Sequence, residues 1–262
     1  MNSLYYKILG EGEPIILLHG LLGMSDNLGS LAKTLAEDYK VISIDAINHG
    51  ESPHQAVVSY DSMADDVLQV MDKLGIEKAA ILGHSMGGKT AMQIAVNAAD
   101  RVSRLIVADI APVDYPTSYH ADLFAAMKAV SEETINSRKD ADSILEKNGV
   151  STLGVRQFLL KNLKRNEQGQ WAWQCALDNL IANYPVVSAA PVLRNGYQGA
   201  SLFIKGGASN YVQDSHLPLI EQYFPQSTVR VIDGASHWLH AEYPQVFADY
   251  VLRFLQQNPA NN

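Results

Sequence analysis

The stretch Gly83-His84-Ser85-Met86-Gly87 sets a serine between two glycines, behind an apolar run and ahead of residues with helical periodicity. A serine hydroxyl is a weak nucleophile at neutral pH. It attacks acyl carbonyls when a tight strand-to-helix turn exposes it and a neighbouring base takes its proton. Side chains two residues to either side would collide in such a turn, and Gly83 and Gly87 leave that room. The following helix aims its positive dipole end at the serine, so Met86 N–H is one predicted donor to a developing oxyanion. Five residues alone would also fit an ordinary turn of small residues; the strand before and the helix after supply the context the chemistry needs.

Acyl transfer requires a second oxyanion donor and a base. Ile15–Leu18 is an apolar strand running into His19-Gly20-Leu21-Leu22-Gly23, and Leu21 N–H is the predicted second donor. His19 follows a core strand immediately, so it is read as holding that loop by hydrogen bonds and not as a catalytic imidazole. Of the eight histidines, His237 in Gly234-Ala235-Ser236-His237-Trp238 follows the last expected strand and precedes the last helix. That puts it at the carboxyl edge of the sheet, beside Ser85. His240 is the competing imidazole, expected instead to pack at the helix entrance beside Glu242.

The acid that orients the base has two possible locations. After the penultimate strand the chain reads Lys205-Gly206-Gly207-Ala208-Ser209, with a serine where a carboxylate would stand. After the strand that follows the nucleophile helix, Ala108-Asp109-Ile110 offers a carboxylate that could fix the His237 tautomer. Asp109 is therefore the assigned acid, with Asp214, Asp178 and Asp233 left open as alternatives; a strand-end turn would equally account for an aspartate there.

These residues need a scaffold that holds strand ends side by side. Short runs rich in Val and Ile alternate with amphipathic stretches, the pattern of a mostly parallel α/β sheet covered on both faces. Strands are expected at Leu4–Leu9, Ile15–Leu18, Val41–Asp45, Ala79–Leu82, Arg104–Ala108, Ala200–Ile204 and Thr228–Ile232. Helices are expected at Asp26–Glu37, Tyr60–Leu74, Ser85–Ala98, Ser215–Phe224 and Pro244–Gln256, with Tyr60-Asp61-Ser62 as the start of the second. Between Val113 and Leu193 the strand signal vanishes. That segment reads as an all-helical lid of three or four helices, broken near Asn148-Gly149 and Gln168-Gly169, inserted into a core made of residues 1–112 and 194–262. Its Phe124, Met127, Phe158, Leu159, Trp171 and Trp173 are expected as a group to form an apolar acyl pocket, although packing alone would explain any one of them.

Composition narrows the function classes. The 262 residues are 47% hydrophobic with a formal charge of −8, and no Lys/Arg run offers a surface for nucleic acid. No apolar stretch approaches the roughly 20 residues of a membrane span. The single Cys175 allows no internal disulfide. The beginning, MNSLYYKILGEGEP, has no leader pattern, which reads as a cytoplasmic protein, and the polar end QQNPANN is expected to fray. No metal or organic cofactor is expected, and the oligomeric expectation is a monomer or homodimer.

Together these residues resemble the α/β-hydrolase superfamily, and more closely the small bacterial esterases of the YbfF type. The resemblance rests on HGLLGMSDNLGSL at His19–Leu31, DAINHGESP at Asp45–Pro53, GHSMGGK at Gly83–Lys89, ADIAPVDY at Ala108–Tyr115 and GASHWLHAEYP at Gly234–Pro244. In the second stretch Ile47 stands where arginine is usual, which should alter how Asp45 is paired. The resemblance places the acid after the strand that follows the nucleophile helix, where Asp109 is. It implies a serine carboxylesterase acting on short-acyl esters of small molecules. The alternative it leaves open is an acyl-CoA thioesterase or another serine hydrolase of the same fold, a carbon–carbon hydrolase, lactonase or perhydrolase. A ligand receptor that kept the fold without catalysis is the rival from another class; the intact Ser85, Asp109 and His237 argue against it.

Overall fold

Alternation within the second strand shows how the sheet is built. In the computed structural model, which describes residues 3–257, β2 (Glu13–Leu18) sends Ile15 and Leu17 to one face and Ile16 and Leu18 to the other, all buried. Helices cover both faces, so neither parity of the strand is polar. Seven strands lie in the order β1 (Tyr6–Leu9), β3 (Tyr39–Ile44), β2, β4 (Ala79–His84), β5 (Val102–Ala108), β8 (Ser201–Gly206), β9 (Ser227–Ile232). Only β1 runs antiparallel, against β3; every other pairing in this sheet is parallel.

On the face of Ile15 and Leu17 lie α1 (Gly29–Leu35), through Leu31 and Leu35, and the last helix α11 (Pro244–Leu255), through Phe247, Val251 and Phe254. On the opposite face lie α2 (Tyr60–Lys73), through Met63, Val67 and Met71, and α3 (Met86–Asn97), through Ala91, Met92 and Ala95. Burying the side chain of each such Leu, Val or Met stabilises the fold by about 1.5–3 kcal/mol before conformational entropy is counted. α2 starts at Tyr60, where the sequence suggests. Ser59 is the cap, its Oγ accepting from Ser62 N–H at 3.0 Å while Ser59 N–H donates to Ser62 Oγ at 2.9 Å. The expected helices at Asp26–Glu37 and Ser215–Phe224 each open with a 3-10 turn, Ser25–Leu28 before α1 and Asp214–His216 before α9 (Leu217–Tyr223).

Between β5 and β8 come α4 (Ala121–Glu132), α5 (Arg138–Lys147), α6 (Leu153–Leu160), α7 (Leu177–Ala182) and α8 (Tyr184–Ser188). The expectation of an all-helical insertion is corrected here: β6 (Leu163–Arg165) and β7 (Trp171–Trp173) form an antiparallel hairpin. Asn166 makes the turn, its Oδ1 accepting from Gln168 N–H at 3.1 Å and Gln170 N–H at 2.9 Å, and Gly169 takes φ +77°. The glycine expected to break a helix instead closes a β-turn. The polar tail from Asn258 onward lies outside the described residues. A short α10 (Leu239–Glu242) links the loop after β9 to α11.

Candidate active site

The four described non-glycine residues with positive φ are Leu22 (59°), Asn48 (66°), Ser85 (54°) and Asp109 (48°). They follow β2, β3, β4 and β5 in turn, so the strained backbone is gathered along the carboxyl edge of the parallel strands. At Ser85 the turn is held by its N–H donating to Ala108 O at 3.0 Å. A Cβ on Gly83 would sit 2.0 Å from Gly87 O, and one on Gly87 would sit 2.4 Å from Leu18 O. The two glycines are required by close backbone approach on both sides of Ser85.

His237 Nε2 lies 3.0 Å from Ser85 Oγ, and its Nδ1 lies 2.7 Å from Asp109 Oδ2. The carboxylate can only accept, so Nδ1 carries the proton and Nε2 is left to accept from Ser85. Asp109 is fully buried, at 0% exposure. Its Oδ1 accepts from Gly206 N–H at 2.9 Å, and the Ser209 hydroxyl donates to Oδ2. The alternatives are not brought there. Asp214 pairs with Lys205 at 3.2 Å and Asp178 approaches Lys128 at 3.5 Å, with 91% and 87% of their side chains exposed, and Asp233 is also exposed.

Leu21 and Met86 flank the serine. Gly20 is packed so closely there that a Cβ on it would lie 3.2 Å from Ser85 Cβ. Among the described residues no acceptor takes the Leu21 or Met86 N–H, which leaves both donors available beside the hydroxyl. Two cavities meet at Ser85. One, of about 30 Å³, is walled by Leu22, Leu28, Leu123, Phe158 and Trp238; the other, also of about 30 Å³, by Tyr60, Tyr115, Tyr119, Tyr184 and Tyr211. Leu21, Ser85 and His120 line both, so His120 stands between them, its Nδ1 2.6 Å from the Tyr184 hydroxyl.

The group expected to form an acyl pocket is mostly packing. Only Phe158 reaches the cavities, in edge contact with Trp238 at 4.5 Å. Phe124 packs on Tyr184, Trp173 Nε1 donates to Met127 O at 2.9 Å, Trp171 Nε1 donates to Asn136 O at 3.0 Å, and Leu159 is wholly buried. Each faces other parts of the insertion because helices that short need mutual burial to be stable.

A family model for the alpha/beta hydrolase fold matches residues 13–132. Esterase YbfF of Escherichia coli is 40% identical over 245 residues, covering 94% of each chain. The mouse protein named sn-1-specific diacylglycerol lipase ABHD11 is 42% identical over 248 residues, 92% of this chain and 80% of that one. The chain belongs to the α/β-hydrolase family. A solved structure, a marine microorganism esterase, superposes with a TM-score of 0.93 at 38% identity, over 96% of this chain and 99% of that one.

Around Ser85 of this α/β-hydrolase, His19, His49, His84 and His240 make loop and core contacts. His19 bridges loops, its Nε2 accepting from Ala46 N–H at 3.0 Å with Nδ1 2.8 Å from Gly20 O. His49 Nε2 accepts from Leu22 N–H at 3.1 Å, and burial pulls this imidazole down to about 3. With Ile47 in place of arginine, Asp45 finds backbone donors instead, Ser25 N–H at 2.6 Å and Glu51 N–H at 2.9 Å, while Ile47 joins the core. His84 Nε2 donates to His237 O at 2.8 Å. His240 packs 4.5 Å from the His84 ring, not beside Glu242, whose carboxylate takes Ser236 N–H and hydroxyl.

Sequence reasoning missed Lys89, Ser209, Tyr211 and His120 as residues of this neighbourhood. Lys89 is almost wholly buried, its Nζ donating to Ser188 O at 2.9 Å and Ala189 O at 2.6 Å, with the Tyr115 face 4.7 Å away. Burial brings its ammonium down to about 7, against the pull of Asp114. A lysine four residues after Ser85, on a helix buried on all sides, was the available signal.

Proposed function

We propose that this protein is a serine carboxylesterase acting on small-molecule esters with short acyl groups. The observation that carries the reading is the unbroken chain from Ser85 Oγ to His237 Nε2 and from His237 Nδ1 to the buried Asp109 carboxylate. Ser85 attacks the ester carbonyl as His237 takes its proton, and Leu21 and Met86 N–H hold the oxyanion. The tetrahedral intermediate collapses, the ester C–O bond breaks, and His237 returns the proton to the leaving alcohol. Water, deprotonated by the same imidazole, then attacks the acyl-serine and releases the acid. Proton transfer and hydrogen bonding supply all that these steps require, so no metal or organic cofactor is invoked.

Residues 1–112 and 194–262 serve as the core and 113–193 as a lid over Ser85. The contacts of His120, Leu123 and Phe158 with the cavities support this role, as does the Lys89 tie to the carbonyls of Ser188 and Ala189. The modest cavity volumes support the acyl-length preference. Each added methylene gains about 0.8 kcal/mol while it can be buried, and overpacking costs about 1–3 kcal/mol once the space is full. No described helix is long and apolar enough to cross a membrane. The proposal places the enzyme in the cytoplasm as a monomer or homodimer.

A panel of p-nitrophenyl esters from acetate to palmitate, with acyl-CoA thioesters, lactones and a diacylglycerol, tests the reading alongside Ser85→Ala. The expected outcome is a maximum of kcat/KM at short acyl chains and no turnover or fluorophosphonate labelling in folded Ser85→Ala. Full activity in that variant would overturn the mechanism. A maximum at long chains or at the diacylglycerol would assign the site to a lipase, as the name of the mouse relative suggests.

A further inference from the structure

The imidazole of His237 has a partner that none of the steps above uses. The Tyr211 ring lies flat on it, centroids 3.7 Å and planes 15° apart. The two hydrogen bonds of His237 both lie in the ring plane and run from Nδ1 and Nε2 to Asp109 and Ser85. They fix the axis between these partners but resist tilting about that axis only weakly. A flat aromatic stack restrains that remaining motion.

We propose that Tyr211 is a positioning residue for the base: its π face keeps the imidazole in the plane that joins Ser85 to Asp109 and stabilises the imidazolium formed as Ser85 attacks. The proposal rests on the esterase reading above. An aromatic face attracts a cation held over it through the ring quadrupole, and does so more strongly where water is excluded. The positive charge on His237 is transient, so this attraction acts on the transition state more than on the resting enzyme.

The backbone around Tyr211 is tied to the segment that carries the acid. Tyr211 O accepts from the Tyr115 hydroxyl at 2.6 Å, and the same hydroxyl oxygen accepts from Ala111 N–H at 2.9 Å, two residues beyond Asp109. Tyr211 N–H donates to Ser209 Oγ at 3.2 Å, and the Ser209 hydroxyl in turn donates to the Asp109 carboxylate. The stacked ring and the acid are therefore held as one unit. The Tyr211 hydroxyl itself has no hydrogen-bond partner among the described residues, which points to the ring and not the phenol as the working part.

The other titratable groups around His237 fit this assignment. Asp109 meets Nδ1. The His84 ring is 4.7 Å away, and His120 and His240 stand further out, all three imidazoles pushed down by burial and so neutral near pH 7. Tyr115 and Tyr119 pack on Tyr211 at 5.3 and 5.8 Å, and burial keeps Tyr115 and Tyr211 protonated. The stack thus presents a neutral ring to the imidazolium, with Asp109 the one carboxylate in contact with it.

The test measures kcat and the acid limb of kcat/KM with p-nitrophenyl acetate. Its variants are Tyr211→Leu, Tyr211→Phe and proteins carrying phenylalanines with one to five ring fluorines at position 211. Losing the ring makes the imidazolium easier to deprotonate, so Tyr211→Leu is expected to lower kcat about tenfold and to move the acid limb to lower pH. Tyr211→Phe restores both. Progressive fluorination withdraws charge from the π face at nearly constant shape, so kcat should fall stepwise even if Tyr211→Leu fails to fold. A Tyr211→Leu protein matching the wild type in both quantities would overturn the proposal, and so would a fluorinated series with flat kcat. NMR titration of the His237 imidazole in Ser85→Ala, with and without Tyr211→Leu, keeps the test independent of turnover. A lower titration midpoint without the ring supports the stack even if the esterase reading fails, and an unchanged midpoint overturns it.

Discussion

Asp109 illustrates how one side chain is fitted to its task. A wholly buried carboxylate would be costly without donors, and it has three: Gly206 N–H, the Ser209 hydroxyl and His237 Nδ1. Asp109→Asn keeps the volume and offers an amide that cannot stabilise an imidazolium. The expected result is a loss of kcat on the order of 10⁴-fold, read with p-nitrophenyl acetate, while Asp214→Asn, whose parent is exposed and paired with Lys205, stays near wild-type activity. At this scale the sequence discriminated unevenly. The meeting of Ser85 and His237 was legible because each sits in a local pattern whose meaning depends on a few neighbours. Asp109 remained one of several candidates because its setting depends on β5 and β8 lying side by side, a contact made 97 residues apart in sequence between Asp109 and Gly206. Tyr211 and Lys89 were not seen: a lone tyrosine in a loop has no distinguishing spacing, and the position of Lys89 four residues after Ser85 signals burial only once its helix is known to be covered on all sides.

Elements differ in how much their glycines bear. Gly83 lies one residue before the end of β4 with Gly87 O 2.0 Å from the position a Cβ would take, whereas Gly169, in the turn between β6 and β7, has open space around it and only a positive φ of 77°. Gly83→Ala must therefore displace backbone on which the serine turn depends, and it should abolish activity and lower the Tm by many degrees. Gly169→Ala should cost about 1–2 kcal/mol for the left-handed conformation and leave kcat nearly unchanged. Thermal melts with a parallel activity assay separate the two cases. The strands of the main sheet were legible because buried Val and Ile runs of four to seven residues are bounded by turns. The hairpin was not, because two three-residue strands, LKR and WAW, are too short to display a period.

Taken as a whole, the molecule carries an unusual number of neutral buried imidazoles. His19, His49, His84, His120 and His240 are all held below the ordinary value of 6.5 by burial, His49 to about 3 and His120 and His240 to about 4. Between those values and 6.5 the unfolded chain binds protons that the folded chain refuses. The associated stability is fully present above pH 6.5 and is lost as pH falls toward 4 and below. For His240 alone the difference is on the order of 3 kcal/mol. Urea midpoints should thus fall steeply from pH 6.5 to 4, and a His49→Gln variant should show a shallower decline. The sheet order has a separate consequence. Ser85 and Asp109 follow the central strands β4 and β5, but His237 hangs from β9, the outermost strand, which pairs with β8 alone and leaves much of its surface in water. Edges of a sheet open at lower free energy than its centre. Heating should accordingly detach His237 while Ser85 and Asp109 still stand in an intact core, so that the inactivation curve runs several degrees ahead of the circular-dichroism melt, and activity returns on cooling from that interval. The outer strand would act as a thermal fuse: it disarms the serine reversibly before the chain is lost.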